Sequence, residues 1–101
     1  MSLAECVMTS SSMAHIIFEM LQIGAVVESS NGYVMRKTGQ LFETTIFTDD
    51  RPPMIMSEID AMFFIEDMCE NLLCAKILVY LNRRTRFTER FEGGGWLLFT
   101  E

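Results

Sequence analysis

Histidine, proline and cysteine are scarce in this 101-residue chain, which has one His, two Pro and three Cys. Each scarcity removes a class of chemistry. One histidine and three scattered cysteines cannot furnish the ligands of an ordinary zinc site at the usual spacing, so no metal is expected. Cys6, Cys69 and Cys74 form an odd set without regular spacing. That is a poor disulfide framework and reads as reduced thiols in a cytoplasmic protein. Long apolar runs are missing too, and nothing approaches the ~18 residues that a membrane-spanning helix takes. The opening Met1-Ser2-Leu3-Ala4-Glu5 has no basic stretch followed by an apolar one, so no secretory leader is expected.

Positive charge is the next shortage. Eight Lys and Arg stand against fourteen Asp and Glu, a net charge of −6, which disfavours general binding to a phosphate backbone. A phosphate loop is also lacking. Gly93-Gly94-Gly95 precedes a strand-like segment, not a helix, and reads as a hairpin turn. No nucleophile triad is recognisable. Ser10, Ser11 and Ser12 suit helix caps, and His15 sits on a helix beside the expected core. The carboxylate pairs Glu66/Glu70 and Asp49/Asp50 suit a solvated helix face and a polar loop. The chain therefore reads as non-enzymatic, with no catalytic residue and no cofactor.

What is present is an apolar half of the sequence, enough for one small domain over 1–101 with surplus for an interface. Residues 13–23 repeat apolar side chains at helical spacing and stop at Gly24. Residues 25–28 and 33–37 flank Asn31-Gly32, a dipeptide suited to a type I′ turn, and so predict a hairpin. Residues 40–47, rich in β-branched and aromatic side chains, predict a third strand. Pro52 and Pro53 mark a loop. Ser57 then caps a second helix over 57–75, expected to bury Ile59, Met62, Phe63, Cys69, Leu72 and Leu73. Residues 75–81, 84–91 and 96–100 predict three more strands. The expected fold is α+β: an antiparallel sheet of five or six strands with two helices on one face, in the order αβββαβββ, a possible architectural duplication.

Charge layout is the strongest functional signal. The second helix carries Glu58, Asp60, Glu66, Asp67 and Glu70 and no base, and the chain then turns basic at Lys76, Arg83, Arg84, Arg86 and Arg90. Alternation puts Arg84, Arg86 and Arg90 on one strand face, a row suited to carboxylates or phosphates. The expected partner surfaces are that row and the helix residues Glu66, Asp67 and Glu70. They suggest a homodimeric accessory, inhibitor or chaperone-like factor that binds another protein. A second reading, from a different class, is a small-molecule pocket between sheet and helices lined by Tyr33, Phe42, Phe63, Tyr80 and Trp96.

The element order resembles that of the small acidic homodimeric chaperones of bacterial type III secretion, which usually add a C-terminal helix that is not seen here. Over 20–38, the run Met-Leu-Gln-Ile-Gly-Ala-Val-Val-Glu-Ser-Ser-Asn-Gly-Tyr-Val-Met-Arg-Lys-Thr resembles the helix and wing of a winged helix-turn-helix domain. That resemblance implies a DNA-binding regulator, but the helix before the hairpin holds no Lys or Arg.

Overall fold

Two hydroxyl caps start the two helices. Thr9 accepts the amide of Ser12 at 3.1 Å and Ser57 accepts that of Asp60 at 3.3 Å, satisfying donors that a helix start leaves open. The computed structural model describes residues 7–46, 52–91 and 94–99. Cys6, the Asp49/Asp50 pair and Gly93 lie outside the described residues. In chain order the elements are β1 (Val7–Met8), α1 (Ser10–Met20), β2 (Val26–Ser29), β3 (Tyr33–Thr38), β4 (Leu41–Ile46), β5 (Met54–Met56), α2 (Glu58–Glu70), β6 (Lys76–Tyr80), β7 (Thr85–Arg90) and β8 (Trp96–Phe99).

The fold is α+β as expected, but the single antiparallel sheet has eight strands, not five or six, in the order β1-β8-β7-β6-β2-β3-β4-β5. The two additions are its edges. β1 and β5 hold two and three residues, too few for alternation to register in a sequence. Along the strands, Val27, Met35, Phe42, Ile77, Val79 and Trp96 are buried on one side, where both helices pack. Among the described residues, no helix is long and apolar enough to cross a membrane.

Local details differ from expectation in instructive ways. α1 begins at Ser10 because Thr9, not a later serine, supplies the cap. The β2–β3 loop spans three residues, and only Gly32 takes a positive φ, +101°. It is therefore not the two-residue I′ turn, since Asn31 keeps negative φ. α2 stops at Glu70 and buries Ala61, Ile65, Met68 and Cys69. Ile59 and Phe63 are 70% and 60% exposed, and Leu72 and Leu73, beyond the helix, are 82% and 80% exposed. Apolar residues line more than one stripe of this helix. α2 packs against α1, and the stripe it buries contains the small Ala61. The β2–β3 hairpin is paired on both flanks, to β6 and to β4, so it is an interior part of the sheet and not a projecting wing.

The expected αβββ repeat is present with one more strand: each half is βαβββ. Reading the sheet from either edge gives the same series once β1–β4 are exchanged with β5–β8. The register obeys the same two-fold. Met8 pairs with Trp96 as Met56 pairs with Phe42. Val27 pairs with Met35 as Ile77 pairs with Thr88, and Lys37 with Phe42 as Arg90 with Trp96. The pseudo-axis passes through the central pair Glu28–Leu78. The helices obey it too: the Ser10 hydroxyl at the start of α1 donates to the Cys69 carbonyl at the end of α2, at 3.0 Å, so the two run antiparallel.

Candidate functional site

α2 presents the most distinctive surface. Ile59 and Phe63, one turn apart, stand exposed among Glu58, Asp60, Glu66, Asp67 and Glu70. Among the described residues no ion pair reaches any of these carboxylates; the salt bridge found joins Lys76 to Glu89 at 3.8 Å on the opposite face of the sheet. Glu58 and Asp60 lie in the first turn, where the helix dipole favours acids. Glu66, Asp67 and Glu70 lie in the later turns, where it does not, so local helix stability does not account for them.

The arginine row takes a different place. Alternation does put Arg86 and Arg90 on one face, but it is the helix-bearing face. Arg90 Nη2 donates to the carbonyl of Asn71, the α2 C-cap, at 2.8 Å and Nη1 donates to the Gly94 carbonyl at 3.0 Å. Its guanidinium carbon lies 4.1 Å from the Trp96 ring centroid, a stacked cation–π contact. Arg86 Nη1 points to the Met20 sulfur of α1, 3.2 Å away. Arg84 alone is exposed, in the β6–β7 hairpin loop. The three arginines thus form no open stripe. Alternation tells which residues share a face, and the helices decide which face is roofed.

The five aromatic residues expected to line one pocket are separated. Trp96 and Phe42 are fully buried, and the Trp96 indole N–H donates to the Cys69 carbonyl at 3.0 Å. Phe63 is on the outer side of α2. Tyr80 is on the uncovered face of the sheet, its hydroxyl donating to Glu28 at 3.2 Å. Tyr33 borders a hollow of about 180 Å³ lined by Asn31, Tyr33, Phe64, Asp67, Met68 and Asn71, while Tyr80 borders a separate one of about 510 Å³ beside Gln22, Ala25 and Leu81. Tyr33 meets Phe64 edge-on, with ring centroids 5.4 Å apart. Phe64, Asp67, Met68 and Asn71 fall at i, i+3, i+4 and i+7, one stripe of α2 facing the β2–β3 hairpin. The sequence pattern points to a different stripe of α2, through Ile59, Met62 and Phe63, and gives no sign of the hairpin partner.

Cys69 and Cys74 are free, buried thiols. Burial, reinforced by neighbouring Cys74, pushes Cys69 up to about 12, and burial raises Cys74 as well. Neither is a thiolate at neutral pH, so neither is placed as a nucleophile. His15 is exposed on α1, and among the described residues no cluster of His, Cys, Asp or Glu is arranged to hold a metal. Comparison of the chain with protein-family models, with curated proteins and with solved structures returned no significant match.

Proposed function

We propose that the protein is a non-enzymatic protein-binding module that grips a basic, amphipathic segment of its partner along α2. One observation carries this reading: two large apolar side chains, Ile59 and Phe63, are held in water amid five carboxylates that have no ion-pair partner among the described residues. A helix with an apolar ridge and acidic flanks complements a segment with an apolar face and basic flanks. The test is a titration with two synthetic amphipathic helices of equal hydrophobicity, one carrying lysines and the other glutamates. The lysine peptide is expected to bind, less tightly as salt rises. The double variant Ile59→Ser/Phe63→Ser, at two exposed positions, is expected to fold normally and lose that binding. Equal binding of both peptides, or no effect of the double variant, would overturn the reading.

The same proposal includes a homodimer formed through the uncovered face of the sheet. Val26, Val34, Leu78 and Leu97 lie there beside Arg36, Lys76, Glu28 and Glu89. The molecule's Cα extents are 36 × 28 × 23 Å, so its broad face has the size of a standard interface, about 800 Å² per partner. Mixed charge on that face avoids the self-repulsion that two acidic α2 surfaces would suffer. Light scattering behind size exclusion should give twice the monomer mass, and a monomer at micromolar concentration would remove the dimer.

A further inference from the structure

We infer that the hollow between the β2–β3 hairpin and α2 is a receptor for an arginine side chain of the bound protein, an inference that rests on the protein-binding reading and supplies its anchor. The volume, about 180 Å³, is below the roughly 300–1,000 Å³ of drug-sized ligand pockets and suits one side chain. Its lining is that of a cation site. Among the described residues, Asp67 brings a carboxylate without an ion-pair partner and no Lys or Arg borders the hollow. Tyr33 and Phe64 bring aromatic surface, on which a planar guanidinium stacks. Asn31 brings a buried Oδ1 with no hydrogen-bond partner, an acceptor that is costly to leave unused. The hollow also sits at the C-terminal half of α2, the end of the dipole that favours cations, and the last turn holds no base of its own.

The pseudo-symmetric half of the molecule supplies an internal precedent. Under the two-fold, Met68, Asp67 and Phe64 of α2 correspond to Met20, Glu19 and Ile16 of α1, and Tyr33 of β3 corresponds to Arg86 of β7. The corresponding place beside α1 is therefore filled by the chain's own guanidinium, with Arg86 Nη1 against the Met20 sulfur. There the arginine is present and acceptors are short, since Arg86 Nε is buried without a partner. Beside α2 the acceptors Asn31 and Asp67 are present and the arginine is not. An arginine from outside completes the second site in the way Arg86 fills the first.

The test needs no partner protein. The ¹⁵N-labelled chain is titrated with Nα-acetyl-arginine methylamide, and separately with the lysine and citrulline analogues. Saturable shifts are expected at the Asn31 side-chain amide and the backbone of residues 31–34 and 64–71 for arginine, weaker ones for lysine and none for neutral citrulline. Asp67→Asn, at an exposed position, should weaken arginine binding about three- to fivefold, the scale of one exposed charge pair. Glu19→Gln, at the corresponding exposed position of α1 and away from the hollow, should leave it unchanged. Absence of saturable shifts at these residues, equal response to citrulline, or lysine binding as tightly as arginine would overturn the assignment. Because the probe is a single amino-acid derivative, this titration and the amphipathic-peptide experiment can fail independently, so a lost anchor and a lost partner surface are told apart.

Discussion

Lys37 and Arg90 hold equivalent positions in the two halves, and the difference between them shows how one architecture is secured twice with unequal strength. Each is the last inward-facing residue of its strand. Each lies over the aromatic ring paired with it, Phe42 at 5.5 Å or Trp96 at 4.1 Å. Each donates to the C-cap carbonyl of a helix, Lys37 to Leu21 at 3.2 Å and Arg90 to Asn71 at 2.8 Å. Neither helix has a basic residue in its last turn, so the sheet provides the cation that the helix lacks. Arginine does this better, because its planar fork stacks on the indole while two nitrogens reach separate carbonyls. The β7–β8 half is therefore the more rigidly tied, and the β3–β4 half the looser.

That comparison sharpens into a series of stability measurements. The largest effect is expected at the paired aromatics. Trp96→Ala should destabilise by about 4–5 kcal/mol and Phe42→Ala by about 3–4. The extra loss comes from the Trp96 hydrogen bond to Cys69 and the Arg90 stack. Denaturant midpoints decide the matter, and an equal or larger loss for Phe42→Ala would break the asymmetry. Next come the cations: Arg90→Met should lose about 2 kcal/mol and Lys37→Met about 1 or less. Equal values would mean that the second carbonyl and the closer stack add nothing.

Cys69 gives a pH test of the same comparison, because its equivalent near the end of α1 is the non-titrating Leu21. Folding holds the Cys69 thiol protonated, raised from 9.0 to about 12, whereas the unfolded chain ionises it near its ordinary value. Its contribution is full below that ordinary value and is lost as pH rises toward about 12. Stability should thus fall by about 1 kcal/mol between roughly pH 8 and pH 10, with the slope reduced in Cys69→Ala; an unchanged slope in that variant would exclude the thiol as its source. Effects of similar size belong to the caps. Thr9→Ala and Ser57→Ala should each lose about 1 kcal/mol, and a difference well beyond the error of the two unfolding curves would show that the helix starts are not equivalent.

The repeat itself was only half legible. Element order suggests a duplication, yet the halves show no alignment at a constant spacing. The register explains why. Met8 and Met56 are 48 positions apart, Ala25 and Ala75 are 50, Lys37 and Arg90 are 53, and Phe42 and Trp96 are 54. α2 is two residues longer than α1, and the 81–84 loop exceeds the 30–32 loop, so each insertion shifts all that follows. Once strand pairing aligns them, Thr9/Ser57, Ile17/Ile65, Met20/Met68 and Val27/Ile77 also match. The hollow was hidden for a related reason: Asn31 and Tyr33 lie more than thirty residues from Phe64 and Asp67, and no periodicity within either segment announces the other.

By itself the sequence determined what is local. Thr9 and Ser57 set the helix starts, Gly32 set a turn that needs positive φ, alternation put Arg86 with Arg90, and carboxylates crowded one helix. Tertiary structure decided which faces meet. It buried Ala61 and left Phe63 in water, and it turned a supposed arginine surface into struts beneath the helices. It also brought a hairpin asparagine beside an aspartate on α2. The physical reason is that local rules depend on neighbours along the chain, whereas a docked helix selects among its apolar stripes by fit to a sheet assembled from distant segments.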